Sequence, residues 1–209
     1  MKITIVGPGA MGGLIAYYLS KTKEELFFLD KNKERAQATN ERGFLIENSS
    51  GNSRIKVKSN SDPKGIGISD LVIICVKAYH TKEAILHAKP LIGNNTLVLT
   101  LQNGIGNIEM ISEIAGADKV IGGITNHGAT LIDTNHIRHA GKGETIIGRL
   151  DGKVPAQIRS IREVFNKAGI ETRISKDIKG LLWSKLITNA GINALAAISR
   201  LPNGKLLEI

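Results

Sequence analysis

Two stretches of this sequence carry side chains whose type and spacing suit chemistry. The first is Lys179-Gly-Leu-Leu-Trp-Ser-Lys-Leu-Ile-Thr-Asn-Ala-Gly-Ile-Asn193, in which Lys185, Asn189 and Asn193 are spaced i, i+4, i+8. On a helix these three fall along one face. Their neighbours Leu181, Leu182, Trp183, Leu186, Ile187, Ile192, Leu195 and Ala196 are apolar. An ammonium is costly to bury without partners, so a polar line on an apolar helix points to a cleft; the plain alternative is a solvent-facing stripe. A cleft lysine can act as a general acid as its pKa falls toward neutrality. Asparagines supply donors and acceptors without charge, which suits hydroxyl and carbonyl recognition.

The second stretch is Gly7-Pro8-Gly9-Ala10-Met11-Gly12, a Gly-x-Gly-x-x-Gly pattern. The pattern alone is weak. Here it follows an apolar stretch with strand character and opens a helical one, which makes it a dinucleotide-binding signature. Gly7 permits the tight turn, Gly9 lets a diphosphate approach the backbone, and Gly12 lets helix and strand pack closely. The helix N-terminus adds free N–H groups and partial positive charge. No Gly-Lys-Ser/Thr follows, which excludes a P-loop NTPase at this site. Asp30 lies 18 residues after Gly12, where an acid accepts hydrogen bonds from a ribose 2′-hydroxyl. Lys31, Lys33 and Arg35 follow at once and suit a 2′-phosphate, so the choice between NADH and NADPH stays open.

The elements that must hold these groups alternate. Residues 2–6, 25–30, 71–76 and 96–101 are short, apolar and bounded by turn residues, as buried strands are. Residues 10–20, 31–42, 82–89 and 107–114 read as helices between them, and 119–122 as a further short strand. A hairpin is expected from 44–47 and 54–58 around the polar turn 48–52, and short antiparallel strands at 125–132, 137–140 and 144–148. Residues 154–168 form an amphipathic helix with Ile158, Ile161, Val164, Phe165 and Ala168 on one face. After a short strand at 171–174, Asp177 caps a long helix running to about Ser199. The pattern predicts an α/β chain with a Rossmann-type, doubly wound, mostly parallel sheet. Residues 1–175 would form the dinucleotide-binding domain, and 176–209 the first helix of an all-α C-terminal domain.

Composition narrows the partners. The 28 Lys and Arg against 19 Asp and Glu give a net charge of +9, densest after residue 150. With no long basic run and no aromatic-rich RNA motif, a basic cleft for a small anion explains this charge better than nucleic acid does. Cys75, the only cysteine, sits in the apolar run 71–76 and reads as a buried core thiol. The Gly7-Pro8-Gly9 break argues against a signal peptide, and no uninterrupted apolar run of 18 residues predicts a membrane span. A cytoplasmic protein is expected.

These motifs together carry a family resemblance over essentially the whole chain. The N-terminal glycine loop, Val76-Lys77-Ala78, Gln102-Asn103-Gly104, the Trp183-x-Lys185-x-x-x-Asn189-x-x-x-Asn193 helix and Pro202-Asn203-Gly204 resemble the ketopantoate reductase (2-dehydropantoate 2-reductase) family. The 3-hydroxyacid and 6-phosphogluconate dehydrogenases also place an asparagine four residues after a lysine, but the Lys77 and Gln102 motifs favour the ketopantoate branch.

The resemblance implies reduction of a small anionic 2-oxoacid by NADPH or NADH, on the route to pantothenate and coenzyme A. Lys185 would protonate the C2 oxygen, and Asn189 and Asn193 would bind the substrate's hydroxyl and carboxylate end. Asn103 would contact coenzyme and substrate, and Lys77 would lie near the nicotinamide ribose. The phosphate loop 7–12, with Asp30 and Lys31, would complete the coenzyme site. His80 stands where the family usually has glutamine, and His127 is read as a structural or rim residue. The family's helical domain continues for roughly 100 residues more, supplying a serine for the carboxylate and a glutamate near the lysine. Neither is assignable before Ile209, so these 209 residues are expected to bind coenzyme and turn over poorly. The apolar face of the 178–198 helix offers a route to a homodimer. The alternatives are a reductase of another hydroxy acid and a non-catalytic dinucleotide-binding module.

Overall fold

Strand β1 (Lys2–Val6) sends Ile3 and Ile5 into one core and Val6 into another. Strand β6 (Ser69–Ile74) repeats this, with Leu71 and Ile73 on the first side and Val72 and Ile74 on the second. Burial on both faces is why these strands read as near-continuous apolar runs. Helices α1 (Ala10–Leu19) and α5 (Ala156–Ala168) fill the first core with Leu14, Ile15, Leu19, Ile158, Ile161 and Phe165. Helices α3 (Thr81–Ala88) and α4 (Asn107–Ala115) fill the second with Ala84, Ile85, Ala88, Ile108 and Ile111. The computed structural model describes residues 1–49 and 51–208; Ser50, within the expected 48–52 turn, and Ile209 lie outside the described residues.

The remaining strands of the main sheet are β2 (Glu25–Leu29), β5 (Lys58–Asn60), β7 (Ile92–Thr100), β8 (Val120–Thr125), β11 (Thr145–Gly148) and β12 (Thr172–Ile174). The order is β12-β11-β8-β7-β6-β1-β2-β5. Each described neighbour pair is parallel except β8 with β11. The doubly wound, mostly parallel α/β expectation therefore holds. The winding reverses between β1 and β6, and open α/β sheets bind ligands beyond the strand ends at such a point.

Some details depart from expectation. Strand β8 runs to Thr125, three residues beyond its expected end at 122. The expected hairpin is not isolated. Strands β3 (Phe44–Asn48) and β4 (Gly51–Ile55) join β9 (Gly128–Asp133) and β10 (His136–Gly141) in a second sheet ordered β4-β3-β10-β9. There β3 pairs in parallel with β10, because Phe44, Ile46 and Ile137 all bury in the α1-side core. A pairing across some 90 residues leaves no local trace in the sequence. Finally, Lys58 belongs to β5, not to the hairpin. The Asn40 side chain of α2 (Lys33–Arg42) holds that polar strand by bonding both the N–H and the carbonyl of Ser59, each at 2.8 Å.

Helix α6 (Ile178–Ser199) starts where Asp177 accepts from the Gly180 N–H at 2.8 Å, as expected. It packs on β8 and β11, while Ile187, Leu195 and Ile198 are exposed. Length and composition alone would let α6 cross a membrane, as they would a docked amphipathic helix, so one such helix is weak evidence of a span.

Candidate active site

The glycine loop leaves β1 and enters α1 with its three glycines in distinct settings. Gly7 has φ +90°, and a Cβ there would meet Val76 Cγ1 at 2.6 Å. A Cβ on Gly12 would meet the Gly7 carbonyl oxygen at 2.3 Å, so helix and strand touch through bare backbone. A Cβ on Gly9 would meet nothing within 4 Å. Gly9 is the N-cap of α1 and caps it with no side chain, and the first turn carries no acid. A helix N-terminus, whose first-turn N–H groups have no partner within the helix, with open space above Gly9, fits a diphosphate.

At the end of β2, Asp30 is 1% exposed and is gripped by Arg35. Arg35 Nη2 donates to Oδ1 at 2.6 Å, Nε donates to Oδ2, and the Asn32 N–H adds a bond of 3.0 Å to Oδ1. The carboxylate raises the Arg35 pKa above its usual value, chiefly through that side-chain bond. Asp30 is therefore not the free acceptor expected there. Lys31 reaches Glu83 at 3.3 Å in an exposed ion pair.

The loops following β6 and β7 are tied together by Gln102. Its Nε2 donates to the Val76 carbonyl at 2.7 Å and to Thr81 Oγ1 at 2.9 Å, while its Oε1 accepts from Thr100 Oγ1 at 2.9 Å. This clamp fixes Asn103, whose backbone carbonyl accepts from Asn107 Nδ2 at 3.1 Å.

Helix α6 crosses the end of β8, and there the Lys185 ammonium donates to the Thr125 carbonyl. Burial lowers the Lys185 pKa, because desolvation penalises the charged form. A cavity of about 260 Å³ opens beside this bond, lined by Met11, Leu101, Asn103, Thr125, Asn126, His127, Lys185 and Asn189. The phosphate loop thus shares a cavity with the lysine–asparagine face. Several of the expected residues stand apart. Asn193 is exposed and accepts from Asn203 at 3.1 Å. Lys77 is exposed at the N-cap of a short 3-10 turn. His80 pairs with Glu83 at 3.3 Å on the surface. Sequence reasoning does not single out Leu101, Thr125 or Asn126; their one signal is position, at the carboxyl ends of β7 and β8.

The chain matches the family described as ketopantoate reductase PanE/ApbA over residues 3–152. It is 35% identical over 209 residues to the 2-dehydropantoate 2-reductase of Halobacterium salinarum, covering 100% of this chain and 69% of that protein. It is 37% identical over 208 residues to the enzyme of that name from Pyrococcus horikoshii, covering 100% of this chain and 67% of that protein. Among solved structures, the 2-dehydropantoate 2-reductase of Geobacter metallireducens GS-15 superposes with a TM-score of 0.89 at 30% identity, over 97% of this chain and 67% of that one. A D-mandelate dehydrogenase bound to NADH and anilino(oxo)acetate shares the fold at a TM-score of 0.88 and 24% identity, over 96% of this chain and 65% of that one. A glycine cradle and a lysine–asparagine helix meeting at one cavity, on a chain matched in this way, lead to one conclusion: the chain belongs to the ketopantoate reductase PanE/ApbA family.

Proposed function

We propose that this chain reduces 2-dehydropantoate to pantoate with NADPH, and that Lys185 is the proton donor. The observation that carries this reading is the shared cavity, where Met11 of the phosphate loop and Lys185 and Asn189 of α6 line one space. The coenzyme of the family is a nicotinamide dinucleotide, and the Gly9 cradle with the α1 N-terminus would hold its diphosphate. When bound, it supplies hydride for the C2 carbonyl.

The chain's own residues do the rest. The Lys185 ammonium holds a proton for the C2 oxygen, and its bond to the Thr125 carbonyl orients it. Its lowered pKa makes it a stronger acid than a solvated lysine. Asn103 and Asn189 offer uncharged donors and acceptors to the substrate's oxygens. For the coenzyme, Arg35 favours NADPH. Its half-exposed guanidinium is fixed by a buried carboxylate and keeps donors for a 2′-phosphate, while Asp30 has no free face for a 2′-hydroxyl. Residues 1–175 would then be the coenzyme unit, and 176–209 would bring the substrate-facing helix, in a cytoplasmic enzyme.

The test mixes the chain with NADPH and 2-dehydropantoate and follows nicotinamide absorbance. Slow oxidation of NADPH that depends on the oxoacid, with pantoate as product, is the expected result. Bound NADPH with no oxidation by this oxoacid, under conditions where pantoate binds, would support the non-catalytic module instead.

A further inference from the structure

His127 lines the cavity, and the proposed chemistry gives it no role. It is 9% exposed, yet neither ring nitrogen has a hydrogen-bond partner among the described residues. Its ring packs edge-on to Tyr18 with centroids 5.4 Å apart, and lies 5.7 Å from His139. Its backbone is fixed on the active side of β8, where its N–H donates to Thr125 Oγ1 at 3.3 Å. The same Thr125 accepts the Lys185 ammonium through its carbonyl. Unpaired polar atoms in a buried ring are costly and call for an explanation. Burial, with His139 and Lys142 nearby, lowers the His127 pKa and keeps the ring neutral. A neutral imidazole has one donor and one bare acceptor. That pair matches a hydroxyl group; a carboxylate would want two donors or a cation. The substrate side of the cavity needs such a partner, because Asn193 turns to Asn203 and leaves Asn189 as the α6 asparagine lining it.

We infer that His127 is a substrate-binding residue that recognises the terminal hydroxyl of the oxoacid, and so selects a hydroxylated substrate over its deoxy analogue. The inference rests on the 2-dehydropantoate reading above. The soft ring torsion of histidine allows a nitrogen to face the cavity that the residue lines.

The test uses the NADPH-loaded full chain, in which pantoate binds without reacting. Calorimetry compares pantoate with 2-hydroxy-3,3-dimethylbutanoate, which lacks only the terminal hydroxyl. Wild type is expected to prefer pantoate by about tenfold, the worth of one net hydrogen bond. His127→Phe keeps the ring against Tyr18 and should abolish the preference. His127→Gln keeps a donor and an acceptor and should retain part of it. An undiminished preference in His127→Phe would overturn the inference. Should that variant not fold, imidazole nitrogen resonances in the wild type decide: His127 signals that shift with pantoate but not with the deoxy compound support it, and unmoved signals overturn it. If neither acid binds the wild type, the substrate reading fails first, and this inference with it.

Discussion

The ammonium of Lys185 donates to the backbone carbonyl of Thr125, joining α6 to the end of β8 across 60 residues. One bond thereby joins the helix that carries the proposed acid to the strand end that lines the cavity. It also withdraws the ammonium from water, and burial lowers its pKa below the 10.5 of a free lysine.

That shift sets a pH dependence. A proton donor works while protonated, so the reduction rate should fall as pH rises through the folded pKa, which lies below 10.5. A pH–rate profile should show this basic limb, and Lys185→Met should remove it. The stability effect has the opposite sense. The folded state disfavours the charge, so its penalty is full below the folded pKa and is relieved as pH rises toward the unfolded value. Denaturant melts should accordingly show Lys185→Met folding at least as stably as wild type at neutral pH.

The glycine loop separates folding from binding. Gly9→Ala meets no atom within 4 Å, so its melting temperature should match wild type while coenzyme affinity falls by about tenfold or more. Gly12→Ala drives a methyl against the Gly7 carbonyl, which is backbone and cannot yield. It should lose stability by roughly 1–3 kcal/mol, as overpacked sites do. Thermal melts and coenzyme fluorescence titrations on the two variants check the pair.

Removing Arg35 acts twice. Arg35→Ala should cost about 1–3 kcal/mol of stability, because the buried Asp30 carboxylate loses its charged partner while water reaches part of the gap. It should also lower NADPH affinity more than NADH affinity. The ratio of the two dissociation constants reads this directly; an unchanged ratio would place 2′-phosphate recognition elsewhere.

Cys75 should be chemically silent. Its thiol packs against the α1-side core, and burial pushes its pKa up to about 12. The thiolate is the reactive form, so the native chain should resist an aromatic disulfide reagent at neutral pH, and denaturant should release one rapid equivalent.

Much of this molecule was legible in its sequence. The apolar runs at 2–6 and 71–76 gave parallel strands because burial on both faces needs no alternation. Asp177 announced α6, and the i, i+4 spacing of Lys185 and Asn189 put both on one cavity. What stayed hidden was non-local. Strand β5 is polar and exists through Asn40; β3 meets β10 across the chain. Asp30 has a suitable acid's position, but Arg35, five residues on, takes its carboxylate. Asn193 continues the helical spacing yet does not line the cavity; it is exposed and bonded to Asn203.

The proton donated by Lys185 in oxoacid reduction is open to a kinetic check: single-turnover oxidation of NADPH by 2-dehydropantoate, measured on wild type and Lys185→Met with coenzyme and substrate saturating. The rate in the variant should be lower by about 10²- to 10⁴-fold with coenzyme affinity retained. Equal rates in the two proteins would contradict Lys185 as the donor.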